Sequence, residues 1–204
     1  MNAWSEIQAR QFLADTRDDV LAAAWALLLT RGLRRGELCG LRWEAIDLDA
    51  GSATIVHTLV VVDGRVQTST PKTSSGRRSL PLDVSLVSLL IGHRKRQHED
   101  RLRAGGAWTE TGYVFVDQLG RPYSQELVSN RFDRLVKSSG LPRIRLHDTR
   151  HTAASLMLAS GVSVKVVQEM LGHSSPAITL AIYAHTTPSM AKEAGAALSA
   201  SLLG

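Results

Sequence analysis

The dipeptide Asp63-Gly64 is the feature that most restricts how this chain can fold. Asp-Gly is a strong two-residue hairpin signal, and β-rich residues flank it, from Thr54 to Val62 and from Val66 to Ser69. Ser79 to Leu82 predicts a third short strand. Because a sheet this small is not stable by itself, we expect it to pack against helices formed by the rest of the chain.

Helical patterns occupy most of the remaining sequence. Residues that favour helix starts, such as Ser5 with Gln8 three positions later, and Asp83, precede several of them. The predicted helices are 5–15, 20–31, 33–43, 83–103, 124–139, 147–159, 163–171, 176–183 and 189–203. A short strand is also predicted over Tyr113 to Val116. The sequence therefore predicts an α+β fold that is mainly α-helical, with a small three-stranded antiparallel sheet on one edge.

Apolar residues at helical spacing define the expected core. In the first two helices the predicted core residues are Ile7, Phe12, Leu13, Trp25, Leu28 and Leu29. In the long helix after Asp83, the side chains expected to point inward are Leu86, Leu89 and Leu90. Those expected to point outward are Arg94, Lys95, Arg96, Arg101 and Arg103.

Composition excludes several classes of protein. A chain of 204 residues with 44% hydrophobic content forms a real core, in one sizeable domain or two small ones. Its one cysteine, Cys39, rules out an internal disulfide, and the apolar neighbours of Cys39 favour a buried thiol. The longest apolar run, Val20 to Leu29, is too short to span a membrane. Without a secretory signal, the sequence indicates a soluble intracellular protein.

Charge is distributed unevenly along the chain. The net charge is +5, and 19 of the 24 basic residues are arginine, whose forked side chain suits phosphate. From His151 onward the charges of Lys165, Glu169, Lys192 and Glu193 cancel. All the net positive charge therefore lies in residues 1–150, which is compatible with a nucleic-acid partner.

Four separated places in the sequence combine reactive or charged side chains. Taken singly, each has a simpler interpretation, such as a surface arginine, an exposed lysine or a half-buried helical tyrosine. Together they supply two guanidiniums, one ammonium, two imidazoles and a phenol, from Arg34, Lys72, His147, Arg150, His173 and Tyr183. His147 and Arg150 share a helix face because they are three positions apart.

This set of groups matches the chemistry of attack on a phosphodiester. The five-coordinate transition state carries extra negative charge on its non-bridging oxygens, which arginine forks bind more strongly than the ground state. A phenol becomes a competent nucleophile when cations and a base favour its phenolate. A lysine on a hairpin can protonate the leaving oxygen. With this much fixed positive charge, neither a metal nor another cofactor is expected.

The same residues resemble the active-site motifs of the tyrosine recombinase (phage integrase) family. The matching segments are Thr30-Arg-Gly-Leu-Arg34-Arg-Gly-Glu37-Leu, Thr70-Pro-Lys72-Thr, Leu146-His147-Asp-Thr-Arg150, Leu171-Gly-His173-Ser and Tyr183-Ala-His185. All six family positions occur in the family's order, and the resemblance covers residues from about 4 to 190. It implies a site-specific DNA recombinase or integrase, a strand-transferase that cleaves and rejoins DNA without ATP.

The resemblance implies a role for each side chain. Arg34 and Arg150 would hold the scissile phosphate, and Tyr183 would attack it to form a 3′-phosphotyrosyl link. Lys72 would protonate the leaving 5′-oxygen, and His147 would assist proton transfer with Tyr183.

Supporting roles follow in the same way. His173 would donate a hydrogen bond to a phosphate oxygen, and Glu37 would orient Arg34 or His147. Further DNA contacts are expected from Arg35, Arg77, Arg78 and Arg145.

Domains and partners are also implied by the resemblance. Residues 1–187 would form the catalytic domain, and 188–204 a C-terminal helix or tail that docks on a neighbouring protomer or folds back on its own domain. The family's N-terminal core-binding domain is absent, which predicts weak, low-specificity DNA binding and little complete recombination. The partners would be double-stranded DNA, a directionality factor and further copies of the chain, monomeric when free and tetrameric on DNA. The expected location is the cytoplasm, in association with the nucleoid of a bacterial or phage host.

Other functions stay open from the sequence. One is a DNA-binding integrase fragment with impaired catalysis, and another is strand relaxation like that of a type IB topoisomerase. A third is a zinc protease, because His147 and His151 stand at i and i+4, although Asp148 replaces the usual glutamate and no third ligand is evident. The sequence does not reveal the DNA target.

Overall fold

The computed structural model describes residues 3–62, 65–69, 77–172 and 199–200. In these ranges the helices are α1 (Glu6–Asp15), α2 (Ala22–Arg31), α3 (Arg35–Cys39), α4 (Val84–Ala104), α5 (Gln125–Ser138), α6 (Asp148–Ala159) and α7 (Val164–Leu171). The strands are β1 (Ile46–Asp47), β2 (Ser52–Ile55), β3 (Thr58–Val62), β4 (Arg65–Ser69) and β5 (Arg78–Pro81). The predicted α+β fold, mainly helical, is confirmed. The predicted helices 176–183 and 189–203 lie outside the described residues, apart from 199–200.

Local capping signals place several helix starts. The Ser5 hydroxyl accepts a hydrogen bond from the Gln8 backbone N–H at 3.3 Å, and the Gln8 side chain accepts one from the Ser5 N–H at 2.9 Å. The side chains of Asp83, Ser124 and Ser163 accept hydrogen bonds from backbone N–H groups in the first turns of α4, α5 and α7. Each cap satisfies backbone N–H groups that a helix start leaves without partners, so these starts could be predicted from the sequence.

Helix α2 forms the centre of the fold. Every residue from Ala22 to Leu29 is buried, and α1, α4 and α6 pack around the helix. One end of the core is aromatic, with ring centroids between 5.1 and 6.3 Å apart among Trp4, Phe12, Trp25 and Phe132. Such tilted aromatic pairs stabilise a core beyond their buried area. This cluster joins α1, α2 and α5 to the segment that precedes α1.

Phe12→Ala should destabilise the fold strongly because the Phe12 ring is fully buried and contacts three other aromatic rings. Truncating a buried phenylalanine leaves a cavity and lowers the free energy of unfolding by about 3–5 kcal/mol. Denaturant unfolding monitored by circular dichroism measures the loss. Ile7→Ala on the same helix is the matched control, since Ile7 is 79% exposed. A similar loss in both variants would contradict this packing.

The sheet differs from its predicted composition. The predicted strand Thr54 to Val62 is wrong as a single element, because it divides into β2 and β3 around Val56 and His57. The three-stranded antiparallel sheet has the order β1-β2-β5, and β3 pairs with β4 as a separate two-stranded ribbon. The predicted hairpin is confirmed by the pairing of Val62 with Arg65. Its turn residues, Asp63 and Gly64, lie outside the described residues.

Several local expectations are wrong. Ile7 and Leu89, predicted to lie in the core, are 79% and 40% exposed, because each lies toward the solvent edge of its helix. The third helix is limited to Arg35–Cys39. The segment from Tyr113 to Val116 forms only isolated bridges, to Arg42 and Pro122, because no neighbouring strand runs alongside it over several residues.

Other expectations hold. Cys39 is fully buried, and burial raises the pKa of its thiol to about 12, which makes it unreactive. Within the described ranges, no helix is both long and apolar enough to cross a membrane.

Helix ends meet at one place on this framework. Helix α2 ends at Gly32, which has a left-handed backbone (φ 62°). A Cβ atom there would overlap the Leu171 side chain at the end of α7, so glycine permits the close approach of the two helix ends. Helix α6 packs on both α2 and α7, and β5 contacts α7. The ends of α2 and α7 therefore lie beside β5.

Candidate active site

Arg34 and Glu37 are held together at the start of α3. Arg34 has an extended backbone, and Glu37 occupies the first turn of the helix. Glu37 Oε2 accepts a hydrogen bond from the Arg34 backbone N–H, and Oε1 accepts one from Arg34 Nη1, both at 2.8 Å. A carboxylate at this position also interacts favourably with the helix N-terminus. The Arg34 guanidinium is therefore oriented by Glu37 while 40% of its side chain stays exposed.

Arg78 approaches the same carboxylate from β5. Its Nη1 and Nη2 atoms donate to Glu37 Oε1 and Oε2, both at 2.9 Å, in a bidentate pair. The side chains of Arg78 and Glu37 are only 7% and 3% exposed. The sequence predicts Arg78 as a DNA contact, but the structure places its guanidinium in the interior.

The charge state of Glu37 reflects these contacts. Burial by itself raises the pKa of Glu37. The hydrogen bonds and charge of Arg78, followed by those of Arg34, outweigh burial and hold that pKa below its ordinary value of 4.5. Glu37 is therefore ionised at neutral pH although it is buried.

This pKa shift leads to a pH-dependent stability. A carboxyl group with a lowered pKa in the folded state stabilises the fold above its unfolded pKa, and loses that effect as the pH falls through the folded value. Glu37→Gln should lower the free energy of unfolding at pH 7 by about 3 kcal/mol, because it leaves arginines without their carboxylate. The difference in the free energy of unfolding between the intact chain and Glu37→Gln should narrow as the pH falls below 4.5, the pKa of this carboxyl group in the unfolded chain.

Denaturant unfolding of both proteins across this pH range measures the gap. The control is Glu110→Gln, which removes an exposed ion pair with Arg101 and should show no comparable gap. A Glu37→Gln gap that stays constant from neutral to acid pH would contradict the assignment.

The end of α7 supplies three carbonyl acceptors in a row. Met170 O accepts from Arg78 Nε at 2.7 Å, and Gly172 O accepts from Arg34 Nη2 at 2.8 Å. Leu171 O accepts from Arg150 Nη2. Carbonyls in the last turn of a helix lack partners within the helix and carry the negative end of its dipole. The three guanidiniums therefore stabilise this helix end and are themselves fixed by it.

Arg150 is the most deeply buried of these arginines. Its side chain extends from α6, and Nη1 donates to Gly32 O at 2.7 Å, so Arg150 connects the ends of α2 and α7. The pKa of Arg150 is lowered to about 9, mainly by burial and also by the charges of Arg34 and Arg78, while the charge of Glu37 opposes the shift. Arg150 still carries its charge at neutral pH.

Positive charge is in excess at this cluster. Among the described residues, the guanidiniums of Arg34, Arg78 and Arg150 interact electrostatically with the single carboxylate of Glu37. Guanidiniums fixed in a partly buried setting bind an anion without reorganising first. The geometry therefore favours a bound anion of phosphate type, with the partly exposed Arg34 as its point of access.

His147 stands at the entrance of α6, next to this cluster. It is the N-cap residue of the helix and is exposed, while Arg150 lies on the next turn. Partial desolvation is the largest cause that lowers its pKa, followed by the charges of His151 and Arg150. The His147 ring is therefore neutral at pH 7, the form that accepts a proton.

The loop before α6 is fixed by an ion pair. The buried Asp148 carboxylate accepts hydrogen bonds from the Arg145 backbone N–H, Nε and Nη2 at 2.9–3.0 Å. These contacts set the position of His147, which lies between the two residues. The Nδ1 atom of His151, on the first turn of α6, is buried and has no hydrogen-bond partner among the described residues.

The other predicted DNA contacts, Arg35, Arg77 and Arg145, are exposed. Arg35 is exposed and donates to Gln125 Oε1 and Ser129 Oγ on α5, both at 2.9 Å. Arg77 is exposed beside β5, and Arg145 has an 80% exposed side chain. Their role as DNA contacts stays a prediction. Lys72, His173 and Tyr183 lie outside the described residues.

Sequence reasoning missed the buried position of Arg78 and the part played by the α7 carbonyls. A signal for Arg78 was available, because successive side chains of a strand alternate between its faces. Arg78 is two residues before Leu80, which is fully buried, so both point inward. No comparable signal existed for the carbonyls of Met170, Leu171 and Gly172, since any helix end offers such groups.

Comparison with known proteins identifies the family. Residues 6–190 match the phage integrase family. The chain belongs to that family. Family membership rules out the zinc-protease alternative.

The chain is 34% identical over 180 residues to a tyrosine recombinase XerC-like protein of Caldanaerobacter subterraneus subsp. tengcongensis, covering 82% of this chain and 46% of that protein. It is 28% identical over 195 residues to the ICEBs1 integrase of Bacillus subtilis, covering 95% and 53%. The chain thus spans about half the length of these relatives.

Solved structures agree on the fold of this integrase-family chain. The structure of the Tn1549 transposon integrase in complex with transposon right end DNA superposes with a TM-score of 0.80 at 26% identity, covering 100% of this chain and 66% of that one. XerA recombinase gives a TM-score of 0.75 at 22% identity, covering 95% and 63%. The arginine cluster therefore lies within a fold shared with tyrosine recombinases.

Proposed function

We propose that this chain is the catalytic part of a site-specific tyrosine recombinase that cleaves and rejoins double-stranded DNA through a 3′-phosphotyrosyl intermediate. The observation that carries the proposal is the cluster of Arg34 and Arg150, fixed by helix-end carbonyls with more positive charge than Glu37 balances. Family membership supplies the reaction class.

In the cleavage step, the Tyr183 oxygen attacks the scissile phosphorus while the bond from phosphorus to the 5′-oxygen breaks. Arg34 and Arg150 bind the non-bridging oxygens, whose negative charge grows in the transition state. His147 takes the phenolic proton, and Lys72 gives a proton to the departing 5′-oxygen. His173 donates a hydrogen bond to a phosphate oxygen. The product is a protein-linked 3′-phosphate with a free 5′-hydroxyl.

Rejoining reverses these steps. A 5′-hydroxyl from the same or another duplex attacks the phosphotyrosine, and Tyr183 leaves with a proton returned by His147. The free energy of the phosphodiester is kept in the protein linkage, so ATP is not consumed. Exchange between duplexes requires several protomers on DNA, and we propose the tetrameric complex, with 188–204 joining neighbouring protomers.

Covalent capture tests the proposal and selects the DNA target in the same experiment. The chain is incubated with a pool of duplexes that carry a nick in a randomised region, so that the short 5′-hydroxyl fragment diffuses away after cleavage and religation is prevented. Adducts are isolated under denaturing conditions and sequenced. We expect adducts joined through a 3′-phosphate, with a free 5′-hydroxyl on the released fragment, in the presence of EDTA.

The alternatives give different results in the same experiments. DNA binding without adducts would indicate an impaired DNA-binding fragment. Adducts and plasmid relaxation without strand transfer to a second duplex would indicate topoisomerase-like activity. Products with 5′-phosphate ends and no adduct would overturn the phosphotyrosyl mechanism.

A further inference from the structure

The guanidinium of Arg78 is bound on all sides by the protein itself, unlike that of an arginine that contacts DNA. Its side chain is 7% exposed, and all three of its guanidinium nitrogens donate to the protein. Nη1 and Nη2 fork onto the two oxygens of Glu37 at 2.9 Å, and Nε donates to Met170 O at 2.7 Å. A planar guanidinium provides this fork and the third donor in one rigid unit.

Glu37 transmits this arrangement to Arg34. The same Oε1 atom that accepts from Arg78 Nη1 also accepts from Arg34 Nη1 at 2.8 Å. The Oε2 atom accepts from Arg78 Nη2 and from the Arg34 backbone N–H. Because Glu37 is shared, its carboxylate can turn only if the bonds to both arginines change. Arg78 thereby fixes the oxygen that orients the Arg34 guanidinium.

The Met170 carbonyl is a second connection from Arg78, and it leads to both Arg34 and Arg150. Its carbonyl is followed along the chain by those of Leu171 and Gly172, which accept from Arg150 and Arg34. Holding Met170 O fixes the last turn of α7 against β5. The two acceptors that follow are then presented in a set position to Arg150 and Arg34.

We propose that Arg78 is a positioning residue for DNA cleavage, which acts through Glu37 and the end of α7 on Arg34 and Arg150 and does not contact DNA. This inference rests on the function proposed above. It replaces the expectation from sequence that Arg78 binds the DNA backbone. The two roles differ in what they change, since a positioning residue affects the rate at saturating DNA, whereas a phosphate contact affects affinity and its salt dependence.

The test compares Arg78→Lys with the intact chain. Lysine keeps the charge but cannot bind both Glu37 oxygens and Met170 O together. On a nicked duplex identified by covalent capture, we expect the single-turnover rate of adduct formation at saturating DNA to fall about 10- to 100-fold, as small displacements of catalytic groups do. The DNA Kd and the slope of log Kd against log salt concentration should stay at wild-type values.

A matched control separates positioning from general stability. Arg131 also forks onto a buried carboxylate, donating to Asp19 at 2.7–3.0 Å, but it joins α5 to the segment before α2. Arg131→Lys should lower the thermal unfolding temperature without changing the cleavage rate of the folded fraction. In Arg78→Ala, free guanidinium ion at non-denaturing concentration should restore part of the rate, because it can occupy the vacated position.

Four outcomes overturn the inference. A changed Kd and a salt slope reduced by about one, with an unchanged rate at saturating DNA, would make Arg78 a phosphate contact. Equal loss of rate in Arg131→Lys would make the effect one of general stability. If the intact chain forms adducts and Arg78→Lys forms them at the same rate, the role of Arg78 is overturned and the proposed function is not. If the intact chain forms no adducts, the proposed function and this inference are both overturned.

Discussion

Tyr183→Phe should abolish the covalent protein–DNA adduct. Phenylalanine keeps the ring but lacks the hydroxyl oxygen that would form the bond to phosphorus, so no nucleophile stays at that position. DNA affinity should be unchanged, because it depends mainly on contacts between basic side chains and phosphates. The measurement is adduct formation on a nicked duplex, resolved on a denaturing gel, together with Kd from a gel shift.

Tyr123→Phe is the matched control for this experiment. The chain has three tyrosines, and Tyr113 and Tyr123 are the two in the described residues. Tyr123 is half-buried, and burial raises the pKa of its phenol, which makes phenolate formation harder. Tyr113 is 8% exposed, with the Arg42 guanidinium 4.9 Å above its ring. An adduct that persists in Tyr183→Phe, or disappears in Tyr123→Phe, would refute the assignment of the nucleophile.

Features of the fold that depend on neighbouring residues could be predicted from the sequence. The capping box of Ser5 and Gln8, the Asp83 cap and the glycine that ends α2 each act over a few residues. The positions of the strands in the sheet depend on distant partners. Ala53 pairs with Ile46 on one side and with Leu80 on the other, and nothing local to Val56 or His57 shows that the chain leaves one sheet there to begin another.

The candidate site shows the same division. Arg34, Glu37, His147 and Arg150 could be proposed from motifs, because their residue types and local spacing suit phosphate chemistry. Their partners could not be predicted, since the bond from Arg34 to Gly172 O spans 138 positions. The acceptor there is a backbone carbonyl, which every residue has. Residue identity therefore predicts which groups belong to the candidate site, whereas the packing of helix ends determines what holds them.

Because Arg150 is buried and bonded on two sides, we expect that lysine cannot take over the role of its guanidinium. Among the described residues its hydrogen-bond partners are Gly32 O and Leu171 O. A guanidinium has five N–H groups in a fixed plane, so two can hold the helix ends while others point toward a phosphate. An ammonium group is a compact point charge that cannot bridge two carbonyls and also bind an anion bidentately.

Arg150→Lys should therefore lower the single-turnover rate of adduct formation at saturating DNA by about 10²- to 10³-fold, as expected when a donor to developing negative charge is lost. Charge is conserved, so the DNA Kd should change little. Rates are compared with those of Arg131→Lys, which disturbs a bidentate pair with Asp19 elsewhere. If Arg150→Lys reacts at the wild-type rate, the phosphate is bound without Arg150. Arg131 does not contact the ends of α2 and α7 that Arg150 connects. If both variants lose rate equally, the loss therefore reflects weakened folding and not a specific role of Arg150.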